Sequence, residues 1–328
     1  MSKRIFSGIQ PTGIIHLGNY LGAIKNWVDL QYKYDCIYCI VNYHAITIPQ
    51  EANILAANVM DLAATLLAAG LDPERCTLFV QSDVPEHTEL SWILTCLTPV
   101  GQLERMTQYK DKSQGQNADS IGAGLLCYPI LMAADILIYK AEGVPVGQDQ
   151  TQHLELTRDI ARRFNNTYGE TFPEVEGIFT KAAKVMALNE PTKKMSKSIP
   201  GSYIALTEEP DSIRKKIKRA VTASDADSEQ MPPGVANLFT LLESFAPQEV
   251  VDRFVQEYAA QTIRYAELKE AVAEHLIAGL TPIRERYQAL KEQPEQIKAI
   301  LSRGAEQARK IAQANLQEIK EKVGLKYY

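Results

Sequence analysis

The sequence of 328 residues lacks several features that would place it outside the ordinary globular proteins. No apolar run approaches the roughly 18 residues that cross a membrane, so we expect no membrane partner. The start of the sequence has no apolar core and no small-residue cleavage site, so we expect no secretory signal and a cytoplasmic protein. The formal net charge of −5 rules out a basic field over the whole molecule, and nucleic acid would have to meet a local basic patch.

Cysteine is scarce, and its odd count of five argues against a disulfide framework. Cys36 and Cys39 form a C-x-x-C pair, which raises the alternative of a metal site. The segment 36–41 is typical of a buried strand, in which these two side chains point to opposite faces. No second C-x-x-C follows to complete four ligands, so the sequence predicts a strand and no metal ligands from the protein.

Strand and helix patterns alternate over the first half. Predicted strands cover residues 4–6, 36–41, 77–80, 143–148 and 185–188, and predicted helices cover 51–69, 125–139 and 153–165. Residues 102–116 are polar, and we expect them to form irregular structure. Strands separated by helices indicate a doubly wound parallel sheet, which binds ligands at the carboxyl ends of its strands.

Beyond about residue 205 the strand pattern disappears and apolar residues follow helical spacing. We therefore expect an α/β domain over 1–204 and an all-α domain over 205–328. The stretch 193–219 is basic, and its part 214–219 fits either a solvated helix face or a surface that binds RNA or phosphate.

Two segments carry the residue types that phosphate chemistry needs. Gln10-Pro11-Thr12-Gly13 follows the first strand, and His16-Leu17-Gly18-Asn19 begins the next helix, whose N-terminus favours an anion. Lys194-Met195-Ser196-Lys197-Ser198 places two ammonium groups beside two hydroxyls, which suits a departing polyphosphate. The first segment could also be a plain strand–helix connection. Neither segment matches the G-x-G-x-x-G fingerprint of dinucleotide-binding proteins. The sequence therefore excludes a dehydrogenase that binds its cofactor through that motif.

Asp135 lies among apolar residues on both sides, at 132–134 and 136–138. A solvent-facing or ion-paired aspartate remains the alternative. The apolar flanks favour a buried position for this carboxylate over an exposed one.

These segments together resemble a known family. His16–Asn19 resembles the His-Ile-Gly-His signature of class I aminoacyl-tRNA synthetases, and Lys194–Ser198 matches their Lys-Met-Ser-Lys-Ser signature. Five further segments are similar to the bacterial tryptophanyl-tRNA synthetases: 6–13, 44–47, 101–108, 132–137 and 144–150.

The resemblance implies a Rossmann-like catalytic domain over 1–204, with an inserted dimer-interface segment at about 102–145, and a helical domain over 205–328 that recognises the tRNA anticodon. It implies a homodimer that activates L-tryptophan with ATP, releases pyrophosphate and transfers tryptophan to the terminal ribose of tRNA(Trp). ATP would be a substrate, with Mg²⁺ bound through its phosphates.

The resemblance also assigns roles to single residues. His16, Lys194 and Lys197 would be catalytic. ATP would contact Gln10, Pro11, Thr12, Gly18, Asn19, Gly147, Gln148, Asp149, Val185, Lys194, Met195, Ser196, Lys197 and Ser198. Asp135 would accept the indole N–H, and Tyr128 and Gln150 would hold the amino group of the amino acid. Met132 and His44 are further pocket candidates, for which a packing or supporting role is equally open.

Some positions depart from the family pattern. His16 stands where threonine is common, Asn42-Tyr43 replaces Asp-Gln, Gln148 replaces glutamate and Ile199 replaces aspartate. The tyrosine-specific sister enzyme, which also uses an aspartate, is one rival interpretation. A paralogue that binds RNA or amino acid without catalysis is another, against which the intact His16, Lys194, Lys197 and Asp135 argue.

Overall fold

The computed structural model describes residues 2–113, 122–147, 150–179, 183–222 and 231–326. Within these residues five parallel strands form one sheet: β1 (Arg4–Ile9), β2 (Asp35–Ile40), β3 (Cys76–Val80), β4 (Gly143–Pro145) and β5 (Glu176–Ile178). Their order is β3-β2-β1-β4-β5, and the order reverses between β1 and β4. The predicted doubly wound, Rossmann-like sheet is confirmed.

Helices connect these strands and cover both faces of the sheet. They are α1 (Leu17–Asn19), α2 (Lys25–Leu30), α3 (Asn42–Ala45), α4 (Ala52–Ala69), α5 (Glu86–Thr95), α6 (Val100–Glu104), α7 (Thr107–Ser113), α8 (Ala123–Leu137) and α9 (Thr151–Tyr168). A π-helical turn, Tyr20–Ile24, joins α1 to α2. Helix α4 ends as predicted at Gly70, whose φ of 116° is left-handed.

Alternate residues of β2 belong to the hydrophobic cores on opposite sides of the sheet. Cys36 and Tyr38 pack in one core, and Ile37 and Cys39 pack in the other. The two cysteines are therefore buried strand residues that point apart, as the sequence predicts.

Helices alone follow in the described residues beyond 205, which confirms the predicted all-α character. They are α10 (Pro210–Arg219), α11 (Pro233–Phe245), α12 (Gln248–Ala259), α13 (Tyr265–Lys291) and α14 (Pro294–Lys322). Helix α13 packs on α4, and α14 packs on the edge strand β3. A Cβ at Gly304 would lie 1.9 Å from the Leu78 carbonyl oxygen, so glycine allows this close approach. The boundary near 204 stays a prediction.

Three local predictions were wrong. Residues 102–113 of the predicted irregular stretch include most of α6 and all of α7. Residues 185–188 form only an isolated bridge, between Met186 and Lys194, rather than a sheet strand. The sequence pattern also missed β5. No helix within the described ranges is both long enough and apolar enough to cross a membrane.

Candidate active site

A cavity of about 410 Å³ opens at the carboxyl ends of β1 and β4, where the strand order reverses. This is the place at which doubly wound sheets bind ligands. Its volume lies within the usual range for sites that take small molecules. Seven of the predicted site residues line it: Gln10, His44, Tyr128, Met132, Asp135, Gly147 and Gln150.

Asp135, on α8, is the buried carboxylate of this cavity, with 1% of its surface exposed. Its Oδ1 accepts hydrogen bonds from Gln81 Nε2 at 2.7 Å and from His87 Nδ1 at 2.7 Å, and its Oδ2 lies 2.8 Å from His44 Nε2. Burial raises the pKa of the Asp135 carboxyl, but hydrogen bonds from His44 and His87 outweigh burial and hold that pKa below its usual value. The carboxylate is therefore ionised at neutral pH.

Residues behind the cavity orient the donors to Asp135. The Tyr43 backbone N–H donates to Gln81 Oε1 at 3.1 Å, which turns the Gln81 amide nitrogen toward the carboxylate. The far ring nitrogen of His87 lies 2.7 Å from the Tyr139 hydroxyl. Gln81 and His87 have no local indication in the sequence, since they reach Asp135 only through the folding of the chain.

Tyr128 lines the same cavity and lies on α8, seven residues before Asp135. Its hydroxyl donates to Gln108 Oε1 at 3.1 Å and lies 2.8 Å from His153 Nε2. Burial raises the pKa of Tyr128 to about 12, so the hydroxyl stays protonated at neutral pH. Gln150, at the start of α9, lines the same cavity. These polar groups suit an amino group or a carboxylate of a ligand.

His16 precedes α1, and its ring is buried beside the start of that helix. Asn19 Oδ1 accepts a hydrogen bond from the His16 backbone N–H at 3.2 Å. Within the described part of the chain, His16 Nδ1 is a buried polar atom without a hydrogen-bond partner. Burial, and then the charge of Lys197, lower the pKa of His16, so the ring is neutral at pH 7. A neutral ring nitrogen without a partner is suited to a polar group of a ligand.

The two signature segments meet in space. Lys197 Nζ donates to the Thr12 carbonyl oxygen, although the two residues are 185 positions apart. A Cβ at Gly13, whose φ is 107°, would lie 3.4 Å from Lys197 Nζ, and one at Gly18 would lie 3.0 Å from the His16 ring. Glycine at 13 is therefore favoured by its left-handed φ next to Lys197 of the lysine loop, residues 194–198, and glycine at 18 leaves room for the His16 ring.

Buried polar contacts hold the lysine loop from below. Met195 is buried, and its N–H donates to the Val185 carbonyl at 3.1 Å. Asn237, on α11, accepts from the Met186 N–H at 2.8 Å and donates to the Met186 carbonyl at 3.0 Å. Ser202 Oγ donates to the Ser196 carbonyl at 2.5 Å. The loop is thus fixed to α11, and Asn237 is a supporting residue that the sequence did not reveal.

The chain after the lysine loop pairs with the first signature. The Leu17 N–H donates to the Ile204 carbonyl at 3.0 Å, and the Leu206 N–H donates to the Ile15 carbonyl at 2.9 Å. His16 and Ala205 form an isolated antiparallel bridge between these two bonds. The chain that follows the lysine loop therefore shares backbone hydrogen bonds with the first signature, in addition to the contact of Lys197 with Thr12.

The structure brings most, but not all, of the predicted site residues together. Thr12, His16, Gly18, Asn19, Met195 and Lys197 cluster where the two signatures meet, and Pro11 is buried beside Thr12. Lys194 and Ser198 lie exposed on the same loop, and the Ser198 and Ser196 hydroxyls are 2.8 Å apart. Val185 lies under the loop in the core and does not line the cavity. Gln148 and Asp149 lie outside the described residues.

Comparison with known proteins agrees with this geometry. The family model of class I tRNA synthetases (W and Y) matches residues 2–281. A tryptophan–tRNA ligase of Wolinella succinogenes is 52% identical over 334 residues, covering 99% of this chain and 99% of the relative.

Two crystal structures share the fold over nearly the whole chain. Tryptophanyl-tRNA synthetase from Campylobacter jejuni, complexed with ADP and tryptophan, is 39% identical with a TM-score of 0.85, covering 98% of this chain and 99% of its own. The enzyme from Mycoplasma pneumoniae is 36% identical with a TM-score of 0.88, covering 99% of each chain. The chain therefore belongs to the W and Y family of class I tRNA synthetases, among the bacterial tryptophan–tRNA ligases.

Proposed function

We propose that this chain is a tryptophan–tRNA ligase. It activates L-tryptophan with ATP to tryptophanyl-adenylate and pyrophosphate, and then transfers tryptophan to the 3′-terminal ribose of tRNA(Trp). The observation that carries the assignment of the amino-acid site is the buried, ionised Asp135 in the wall of the 410 Å³ cavity.

Asp135 selects tryptophan through its remaining acceptor capacity. A carboxylate has about four lone-pair sites, and Gln81, His87 and His44 occupy three of them. The fourth lies on Oδ2, the oxygen on the His44 side. The indole N–H is a donor only and fills this position, whereas phenylalanine would leave the carboxylate short of a partner. Tyr128 and Gln150 hold the amino group of tryptophan.

ATP binds between the two signature segments, with its phosphates toward Lys197 and His16. Lys197 donates to the Thr12 carbonyl, and a phosphate oxygen of ATP replaces that neutral acceptor with a charged one. Lys194 lies on the exposed side of the same loop, so two ammonium groups stabilise the charge that grows on pyrophosphate as it leaves. Mg²⁺ enters with ATP through the phosphates.

The reaction needs positioning and charge stabilisation rather than an enzyme nucleophile. The tryptophan carboxylate attacks the α-phosphorus, the bond to the β-phosphate oxygen breaks, and pyrophosphate leaves. His16, neutral and with an unpartnered Nδ1, lies at the start of α1 and contacts the α- and β-phosphates. Gln10, Pro11, Thr12, Gly18 and Asn19 line the phosphates, and Gly147, Gln148, Asp149 and Val185 contact the nucleoside.

The tRNA and the partner subunit follow from the same family. Helices α10–α14 belong to the anticodon-binding domain, 205–328, and the exposed Arg214, Lys215 and Lys218 on α10 offer one basic face to RNA. The chain acts as a homodimer through the segment at about 102–145, beside which Trp92 and Val100 are 69% and 59% exposed. Such exposed apolar side chains suit a protein interface. We place the enzyme in the cytoplasm.

Amino-acid-dependent exchange of pyrophosphate into ATP tests the proposal. Purified protein with Mg-ATP should give exchange with tryptophan and only background exchange with tyrosine or phenylalanine. Exchange with tyrosine instead would identify the sister enzyme. No exchange with any amino acid, from protein that still binds tryptophan, would identify a non-catalytic paralogue.

A further inference from the structure

We propose that His87, held by Tyr139, is the positioning residue that keeps the free acceptor of Asp135 turned toward the substrate. This inference rests on the proposed function and extends it, because it names a residue of the specificity mechanism that cannot itself touch tryptophan. His87 has 0% of its surface exposed and does not line the cavity.

The protonation pattern of this cluster follows from its contacts. An ionised Asp135 is acceptor-only, so the His87 nitrogen that faces it, Nδ1, carries the proton. In the neutral ring the other nitrogen, Nε2, is then an acceptor. The Tyr139 hydroxyl, 2.7 Å away, donates to it. One tautomer of His87 therefore satisfies all three groups.

Aromatic packing prevents the His87 ring from leaving this arrangement. The ring centroid lies 6.5 Å from that of Phe6, 5.8 Å from that of Phe79 and 5.4 Å from that of Tyr139. Phe6 also stacks on Tyr139 at 5.6 Å. Phe6 and Phe79 offer no acceptor, so a His87 ring turned toward them would bury an unpaired N–H.

The turn that carries Tyr139 is itself anchored. Arg4 Nη1 donates to the Tyr139 carbonyl at 3.1 Å, and Asn315 Nδ2 on α14 donates to the Ile138 carbonyl at 2.7 Å. The next residue, Lys140, has a φ of 49°. Contacts from β1 and α14 thus hold Tyr139 in place, and its hydroxyl pairs with His87 Nε2 and keeps the ring oriented toward Asp135.

The consequence for specificity concerns which carboxylate oxygen remains available. Gln81 and His87 together fill the lone pairs of Oδ1, whereas Oδ2 accepts only from His44. Without the hydrogen bond from His87, one lone pair of Oδ1 would be buried with no donor. The carboxylate would then rotate, or take up a proton, and would accept less well from the indole N–H.

Two amide substitutions of His87 separate a role in positioning Asp135 from a role in packing. His87→Asn places an amide nitrogen near the position of Nδ1 and keeps the donor to Asp135. His87→Gln places its amide nitrogen near Nε2 and loses that donor. Asparagine is smaller than glutamine by one methylene, so a role in packing alone predicts an effect of His87→Asn at least as large as that of His87→Gln.

The assay is pyrophosphate exchange with tryptophan and with 3-benzothienyl-L-alanine, in which sulfur replaces the indole N–H. We expect His87→Gln to raise KM for tryptophan roughly 10- to 100-fold, with a smaller change in kcat, and to lower the preference for tryptophan over the analogue about tenfold. His87→Asn should remain within about threefold of the unaltered protein in both measures. Equal effects of the two substitutions would overturn the proposal.

Tyr139→Phe gives a second test if the His87 variants do not fold. It removes only the hydroxyl that pairs with His87 Nε2 and holds the ring in its orientation, and we expect the preference for tryptophan to fall several-fold. An unchanged preference in folded Tyr139→Phe would overturn the proposal. Absence of tryptophan-dependent exchange in the unaltered protein would instead refute the proposed function, so the two failures are distinguishable.

Discussion

Replacing Asp135 by asparagine tests the acceptor role of this residue with almost no change of volume. The single amide oxygen of asparagine can accept from Gln81 and His87, as Oδ1 does in the native protein. Its NH₂ group then faces His44 and the indole. His44 can exchange its tautomer to accept, but the indole N–H is a donor only, so two donors oppose each other.

The magnitude follows from the loss of one hydrogen bond to a charged acceptor. Such a bond contributes about 1.5–3 kcal/mol, which is roughly 10- to 150-fold in kcat/KM. We expect this loss for tryptophan in the pyrophosphate-exchange assay. The benzothienyl analogue has no N–H to lose, so its kcat/KM should change by less than about threefold.

The control is Asp83→Asn, the same chemical change at a residue that lies on the turn after β3 and outside the cavity. It should leave the kinetics with both amino acids unaltered. Thermal unfolding of both variants shows whether the fold persists. If Asp135→Asn lowers kcat/KM equally for tryptophan and for the analogue, Asp135 does not read the indole N–H and the reasoning is wrong.

Three further changes test the lysine loop, its support by Asn237, and the packing of α14 on β3. Lys197→Ala should lower the rate of adenylate formation at least 100-fold while tryptophan Kd changes little. Lys193→Ala, which removes only an exposed pair with Glu190, is the control, and parallel loss of binding and rate in Lys197→Ala would indicate a structural lysine. Asn237→Ala should cost about 2–3 kcal/mol of unfolding free energy and raise KM for ATP more than KM for tryptophan, because both Met186 backbone bonds are lost. An unchanged ratio of the two KM values would contradict the supporting role. Gly304→Ala should lower the unfolding free energy by about 3 kcal/mol or more, since its Cβ would overlap the Leu78 carbonyl. Gly122→Ala, with open space around the new Cβ, should be nearly neutral, and equal thermal stability of the two variants would refute this packing argument.

The sequence predicts those parts of the fold and site that depend on neighbours along the chain. The apolar flanks of Asp135 indicate its burial, and the 1% exposure agrees. The helical spacing and Gly70 predict α4 to within one residue of its start. In each case the residues that determine the structure lie within one helix or next to its end. The spacing of apolar side chains and the residue after the helix are therefore sufficient to predict it.

The rest depends on groups that are distant in sequence. Gln81 and His87 reach Asp135 across separations of 54 and 48 residues, and only the strand order β3-β2-β1-β4 brings these elements together. Strand β5 reads Glu-Gly-Ile and has no strand pattern of its own, so its pairing with β4 determines it. Residues 185–188 have a strand-like composition, but their hydrogen bonds go to residues outside the sheet, namely Lys193, Met195, Ser202, Val221 and Asn237.

The packing of α14 on β3 has a consequence for synthesis of the chain. Strand β3 is at the edge of the sheet, and its partner helix lies near the other end of the sequence. An edge strand with open backbone groups is a template for pairing with other chains. During translation β3 therefore remains uncovered until α14 has been synthesised and has left the ribosome. Substitutions that weaken the Gly304 contact should increase aggregation of newly made protein more than they reduce the activity of molecules that have folded.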